Sequence, residues 1–478
     1  MIIAMYQHDT ERLSLPETSD VFTPAKFPTV TDVNRELLSK SLDRLLRRGG
    51  YYIPVMGTTK LGKTTLVNGA LKKLDYSIFL RGQSLTEGSE SLWPRLAAEL
   101  EIPVSKEKGT VSGDKSTWGF FGKFSAALAT IAKAEVGAQA GGEHMSQKST
   151  SSSVLLDAES EVIKALGLLT ESRMKVAIAI DDFHFITDVE KRRSIIRALR
   201  PVTGAGVSVI LITLPNRGTD PAFQGTNIGG RQESITVGTW DEPDLKEIAN
   251  LGFRALNVKA SDEVIDRLVS ESFGSPHIMQ QLCLNLCEDI NDIYEAAPPN
   301  THSTLHQPAS WDAFFKSVKD DDAASWLTTL GLGPKKKRDK RTKYEVQGLR
   351  VDGYQILLLA IKDLGVPTSI SFDDIKNKIG KMLLFDPSQV NKMNLEAKAN
   401  NMHVLAHKEM DSKLNSFKAL EAQLEEDEDS YSEDEINLAG DIPQPVFEFT
   451  KSTAIPQLNV LDPLLAYTLK WHEDSFLD

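Results

Sequence analysis

The feature that most restricts what this chain can fold into is the run Gly57-Thr58-Thr59-Lys60-Leu61-Gly62-Lys63-Thr64. The apolar stretch YYIPVM (51–56) enters it and the helix-forming KTTLVNGALKKL leaves it. The run fits G-x-x-x-x-G-K-[ST] without a mismatch, in the strand–turn–helix setting that the pattern requires. Its glycines let successive backbone N–H groups turn inward around phosphates at the positive end of a helix. Lys63 would then reach the β- and γ-phosphates, and Thr64 would give its hydroxyl to Mg²⁺. Thr65, next along the helix, completes the expected nucleotide-binding set.

The segments around this loop predict an α/β core with a parallel sheet. DYSIFLRG (75–82), VAIAI (176–180), VSVILITL (207–214) and ESITVG (233–238) read as further strands. They alternate with helical patterns, among them SESLWPRLAAELEI and a stretch carrying Lys191, Arg192, Arg193, Arg197 and Arg200. Such alternation implies helices on both faces of the sheet. The core is expected over 31–240, after an N-terminal extension at 1–30. A Gly-, Ser- and Lys-rich stretch at about 104–153 interrupts it and reads as a mobile insertion. Residues 241–330 show helical periodicity and no strand, so an all-helical lid is expected there. A basic linker at 331–345 leads into 346–478, where three helices precede two short extended pieces, PVFEF and QLNVLDPLL. That is the order of a winged-helix module. The acidic run at 424–435 within it reads as a surface loop.

The second chemical signal is AIAIDD, an apolar strand that ends in Asp181 and Asp182. Open α/β sheets place their sites at such strand tips. Asp181 would hold Mg²⁺, directly or through water, and Asp182 would orient or deprotonate the attacking water. Thr213 and Asn216, at the end of LITLPN, are either γ-phosphate sensors or plain turn residues. Arg217 and Arg231 are either arginine fingers acting across a subunit boundary or solvated surface arginines. Gly274-Ser275-Pro276-His277 starts a helix, with Pro276 a candidate nucleotide contact or simply a helix-initiating proline. Lys335, Lys336, Lys337, Arg338, Lys340, Arg341 and Lys343 form a dense cationic cluster. It could bind DNA phosphates, serve as an address or be a solvated linker. Ser388, Gln389, Asn391, Lys392 and Asn394 lie on the expected recognition helix, PSQVNKMNLEAKAN.

Composition narrows the partners. At 478 residues the chain has room for about two to four domains. Its formal charge of −13 argues against a surface that coats nucleic acid everywhere, while leaving room for a local basic patch. No apolar run reaches the about 18–20 residues that a membrane span needs. The start, MIIAMYQHDTERL, has no basic region leading into an apolar one, so a cytoplasmic protein without membrane contact is expected. Cys283 and Cys287 share a helical face and read as small buried hydrophobes rather than a metal site. The nine histidines are scattered, and no nuclease or protease constellation stands out.

Taken together, these motifs resemble the P-loop NTPases, and among them the origin-recognition and STAND branches of the AAA+ ATPases. The residues that carry the likeness are GTTKLGKT (Walker A), AIAIDD (Walker B), LITLPN in the sensor-1 position and GSPH at the lid helix start. The C-terminal winged-helix order extends it. The resemblance implies an ATP- and Mg²⁺-dependent conformational switch, assembling into homo-oligomers and working with a partner effector protein. It also implies a possible role in anti-phage defence, as in bacterial STAND-like ATPases. Its alternative is a DNA-binding loader or transposition-type ATPase using the winged helix and Lys335–Lys343. Asp182 stands where AAA+ proteins usually carry Glu, which implies slow hydrolysis. No clear sensor-2 arginine appears, and Pro276 and His277 occupy that region in a pattern closer to STAND proteins.

Overall fold

The strands that carry the two motifs lie in one parallel sheet of the computed structural model, with a single strand between them. The structure describes residues 15–100, 102, 158–186, 188–214, 221–223, 226, 228, 230–299, 301–334, 341–406, 446–450 and 455–477. The insertion at 104–153, Asn216, Arg217, Lys335, Lys336, Lys337, Arg338, Lys340 and the acidic run lie outside the described residues. The chain divides into two units: residues 35–58 with 62–238, and a second made of 15–34, 59–61 and the described residues from 239 onward.

In the first unit, β1 (Tyr52–Met56), β2 (Tyr76–Arg81), β3 (Val176–Asp181), β4 (Ser208–Thr213) and β5 (Ile235–Thr236) form a sheet in the order β2-β3-β4-β1-β5. Every pairing is parallel. Buried strands explain the sequence: all six residues of β4 are buried, as are the first five of β3, so both strands are apolar on both faces. The helices Ser89–Glu99, Ala158–Glu171 and Val189–Ala198 bury Leu92, Trp93, Leu96, Leu166, Leu169 and Ile195 in the same core as Ile178, Val209 and Leu211. Asp188 caps the last of these, its carboxylate accepting from the backbone N–H groups of Glu190 and Lys191. The cations on that helix are spent locally, Lys191 on Glu87 at 2.7 Å and Arg193 on Glu190.

The second unit has a helical part and a C-terminal module. Glu242–Ala255, Asp262–Glu271 and Pro276–Asn285 pack through Leu245, Ile248, Phe253, Leu268, Ile278 and Leu282. Two sequence expectations change here. The segment at 15–34 is no mere extension: Phe22 is fully buried in this core and meets Phe253 edge-on, with ring centroids 5.5 Å apart. Thr23 N–H donates to Gln280 Oε1 at 2.6 Å. A Cβ on Gly252 would lie 2.2 Å from the Phe22 ring, which explains a glycine inside a helix where it costs about 1 kcal/mol. The lid is also not strand-free, since β6 (Val258–Lys259) and β7 (Ser303–Thr304) pair in parallel. Two residues are too few to register as a strand pattern. Cys283 and Cys287 are buried free thiols, and burial pushes the Cys287 thiol up to about 12.

The C-terminal module opens with the hairpin β8 (Tyr344–Val346) and β9 (Leu349–Val351), followed by the helix Gly353–Asp363. β10 (Ser369–Ser371), β11 (Phe447–Thr450) and β12 (Gln457–Val460) form an antiparallel sheet in the order β10-β12-β11. Helices Phe372–Leu383, Pro387–Lys392 and 395–406 lie between β10 and β11 in the chain. The expected single helix from Pro387 is therefore two, broken at Asn394, whose φ of 52° is a left-handed posture that Asn tolerates. The basic linker is also less free than its composition suggests. Arg341 ion-pairs with Asp352 at 3.0 Å, donates to the carbonyls of Leu332 and Pro334, and stacks over Tyr354. That guanidinium is 12% exposed, so it works as a bolt rather than a phosphate contact.

Phe22→Ala should destabilise the helical part by about 3–5 kcal/mol, because the cavity lies between packed helices. Denaturant unfolding followed by hydrogen exchange at 242–285 checks this. A loss below about 1 kcal/mol, the level of an ordinary surface change, would mean that the N-terminal segment is dispensable.

Candidate functional site

β1 ends at Met56, and the chain turns into the loop that the motif predicts. Gly57 N–H donates to the carbonyl of Thr213 at 3.3 Å, which ties the loop's first residue to the tip of β4. A Cβ at Gly57 would sit 2.4 Å from the Val237 carbonyl, so this position must be glycine. Gly62 has a φ of 81° and delivers the chain into the helix Lys63–Leu71. Lys63 is the first residue of that helix and only 7% exposed. Its ammonium donates to the carbonyls of Gly57 at 2.9 Å and Thr58 at 2.7 Å. A buried charge needs such partners, and the loop's own backbone supplies them.

At the next residue, Thr64 Oγ1 donates to Asp181 Oδ2 at 3.0 Å. The Walker-A and Walker-B residues, 117 positions apart, therefore meet directly. Asp181 Oδ1 accepts from the backbone N–H of Asp182 at 2.9 Å. Burial raises the Asp181 carboxyl above its ordinary range, while Thr64, the Asp182 N–H, Lys63 and Arg81 pull the other way. Thr64 and Asp181 thus present two hard oxygen donors side by side, a set that suits Mg²⁺ when phosphates and water supply the remaining ligands. Asp182 has a φ of 49°, and its carbonyl accepts from Phe185 N–H at 2.9 Å. That posture costs about 1–2 kcal/mol outside glycine, and the hydrogen bonds on either side hold it.

Not every expected residue joins this group. Thr213 does: it is buried, is the last residue of β4 and pairs in register with Met56. Arg231 does not, because its carbonyl bonds to the N–H of Tyr52, at the end of β1 away from the loop. Thr59, Lys60 and Leu61 group with the second unit, and there they meet the lid. Ser275, the N-cap before Pro276, donates through Oγ to the Lys60 carbonyl at 3.0 Å, and Trp240 Nε1 donates to the Leu61 carbonyl at 3.0 Å. Thr59 Oγ1 donates to Asp462 Oδ2 at 2.8 Å. Pro276 itself is buried at the first turn of its helix. Thr65 lies in the helix Lys63–Leu71 and is half-buried.

Three residues near the site escape motif reading. Arg81 pairs in register with Asp181 and lends it positive charge. Gly82 leaves room for the Walker-B turn, since a Cβ there would lie 2.4 Å from the Asp182 carbonyl. His184 follows Asp182 within the turn Phe183–Phe185, and both of its ring nitrogens are closed off from solvent. Burial, with the charges of Lys63 and Arg192, lowers its pKa to about 3. The only sequence signal for these three is their place beside strand tips.

No protein-family profile and no curated protein matches this chain. Among solved structures it is similar to the Cdc6p protein of Pyrobaculum aerophilum, at 12% identity and a TM-score of 0.38 over 97% of this chain and 100% of that one. A Walker-type ATPase of Pyrococcus abyssi is similar at 13% identity and a TM-score of 0.43, over 92% and 96%. The Orc1 protein of Aeropyrum pernix, solved in complex with DNA, is similar at 10% identity and a TM-score of 0.39, over 97% and 98%. Likenesses this distant assign neither family nor activity, so the reading of the site rests on its own residues.

The His184 environment has a measurable consequence. Its folded pKa of about 3 lies below the ordinary 6.5, so on acidification the unfolded chain takes up a proton that the folded protein does not. Stability is therefore lost as pH falls below the unfolded value. Between pH 7 and pH 5, wild type should lose about 2 kcal/mol more than His184→Phe, measured by denaturant unfolding at both values. Equal losses would mean that the ring is open to protons in the folded state.

Proposed function

We propose that this chain is an ATP-binding and ATP-hydrolysing molecular switch, in which the nucleotide state controls self-assembly or the binding of a partner protein. The observation that carries the proposal is the meeting of Lys63, Thr64 and Asp181 at the C-terminal edge of the parallel sheet. In this reading the Lys63 ammonium exchanges two backbone carbonyls for β- and γ-phosphate oxygens, which are stronger acceptors because they are charged. Thr64 and Asp181 would hold Mg²⁺, which when bound neutralises phosphate charge. Asp182 orients a water molecule and takes its proton. The water oxygen forms the new bond to the γ-phosphorus, the bridging P–O bond breaks, and ADP and phosphate leave. Asp is shorter than Glu, which supports slow turnover suited to a switch. In this reading Thr213, whose carbonyl accepts from Gly57 N–H, senses the γ-phosphate.

The homo-oligomer, the effector partner and a defence role rest on the motif resemblance. So does the reading of the C-terminal module as a winged helix, which its element order supports. DNA binding is the second reading. Ser388, Gln389, Asn391, Lys392 and Asn394 are exposed, as a recognition surface requires. Against it, Ser388 and Gln389 already spend their side chains on the Asp386 cap, and Arg341 on its ion pair.

ATP turnover of the full chain, with and without duplex DNA, tests both. Lys63→Ala should abolish turnover and weaken nucleotide binding. Asp182→Asn should keep ATP affinity and lower kcat by about 100-fold or more. Turnover that persists in Lys63→Ala would sink the ATPase reading. Stimulation by DNA that disappears at high salt would favour the loader over the protein-gated switch.

A further inference from the structure

Thr59, Lys60 and Leu61, the tip of the phosphate loop, are held within the second unit by ties of two kinds. Side chains make the first kind: Thr59 Oγ1 donates to Asp462, and the Lys60 ammonium stands 3.9 Å from Asp320 Oδ2. The second kind grips the backbone. The carbonyls of Lys60 and Leu61 accept from Ser275 Oγ and Trp240 Nε1, each at 3.0 Å. In a trans peptide the carbonyl of one residue and the N–H of the next point in opposite directions. Holding the Lys60 carbonyl therefore sets the Leu61 N–H, and holding the Leu61 carbonyl sets the Gly62 N–H. Both N–H groups are turned away from the side chains that grip the carbonyls. The backbone angles agree with this. Lys60 and Gly62 have φ of 56° and 81° on either side of Leu61, and left-handed residues of this kind make neighbouring N–H groups converge on an anion. A lysine rarely adopts that posture, so its neighbours must hold it there.

We infer that Ser275 and Trp240 are positioning residues for nucleotide binding, which act through the Lys60 and Leu61 carbonyls to aim the Leu61 and Gly62 N–H groups at the β-phosphate. The inference rests on the ATP-binding reading above, in which the loop's N–H groups cradle phosphate. The two donors belong to one piece of structure, since Trp240 N–H donates to the carbonyl of Gly274 at 2.9 Å, next to Ser275. Ser275 is fully buried, and its oxygen caps the helix Pro276–Asn285 by accepting from Ile278 N–H. A hydroxyl has a single proton to give, and here it goes to Lys60. N–H groups aimed before the ligand arrives need no ordering when it binds, so the arrangement raises affinity. Neither side chain has to touch the nucleotide to do this.

Affinity for ATP and for ADP, each with Mg²⁺, and steady-state turnover are measured for full-length wild type, Trp240→Phe, Ser275→Ala, Ser275→Thr and Lys63→Ala. Trp240→Phe keeps an aromatic ring and loses the donor. It should weaken ATP and ADP by the same factor, about 3–10-fold, the net worth of one hydrogen bond. The factor is the same because both nucleotides carry the β-phosphate, and in turnover it should appear in KM more than in kcat. Ser275→Ala should behave alike, and Ser275→Thr, which keeps the hydroxyl, should recover most of the loss. A loss confined to ATP would put the defect at the γ-phosphate and overturn the inference. So would a fall in kcat without a change in affinity, or a Ser275→Ala defect that Ser275→Thr does not relieve. Ser275→Ala also removes a helix cap, so if it fails to fold, Trp240→Phe decides alone. Wild type that binds neither nucleotide better than Lys63→Ala would defeat the ATP-binding reading, and this inference with it. Binding that depends on Lys63 but is indifferent to Trp240→Phe would defeat only the inference.

Discussion

A buried ammonium group sets the terms for the first unit. Lys63 is 7% exposed, and a charge so placed must be hydrogen-bonded or it will not stay charged. The carbonyls of Gly57 and Thr58 do this only because the loop curls back over its own helix start. That curl depends on the left-handed Gly62 and on a first glycine that clears the Val237 carbonyl. The loop in turn needs a fixed strand to leave from, and β1 is held between β4 and β5. The apolar strands therefore do more than build a core, because they hold still the backbone that solvates one charge.

Much of this is legible along the chain because the groups involved are local. Lys63 and its two carbonyl partners lie within six residues, so a motif can describe them. The strands are legible for a different reason: β3 and β4 are buried on both faces and read as unbroken apolar runs. Legibility fails where a fact depends on distant register. Gly82 is an ordinary glycine until β2 and β3 pair and bring it against the Asp182 carbonyl. Arg81 is an ordinary arginine until the same pairing sets it opposite Asp181. Phe22 lies in a stretch too irregular for periodicity, yet its burial is matched by a glycine 230 positions away.

In the C-terminal module, bonding separates residues that composition groups together. Composition describes a charge or a polar side chain, not what it is already bonded to. Arg341 belongs to a cationic string by sequence and to Asp352, Leu332 and Pro334 by structure. Ser388 and Gln389 look like base-reading residues on a helix, but Gln389 closes a capping box and Ser388 Oγ donates to the Asp386 carboxylate. A helix cap is worth about 1 kcal/mol, and a side chain occupied in one is expensive to redeploy. The cations and amides of the module are therefore not all equally available to a ligand.

The same distinction explains why adjacent aspartates can differ in role. Asp181 spends one oxygen on Thr64 and the other on the Asp182 N–H, so its carboxylate is fixed at both ends. A group held in that way suits a ligand that must not move. Asp182 lies past the end of the strand in a left-handed turn, where strand alternation no longer decides its direction. Its place is set instead by the Phe185 N–H and by the room that Gly82 leaves. A side chain at Gly82 would press first on the Asp182 carbonyl, 2.4 Å away, and then on that of Asp181 at 3.1 Å. The turn geometry thus separates two carboxylates that stand next to each other in the chain.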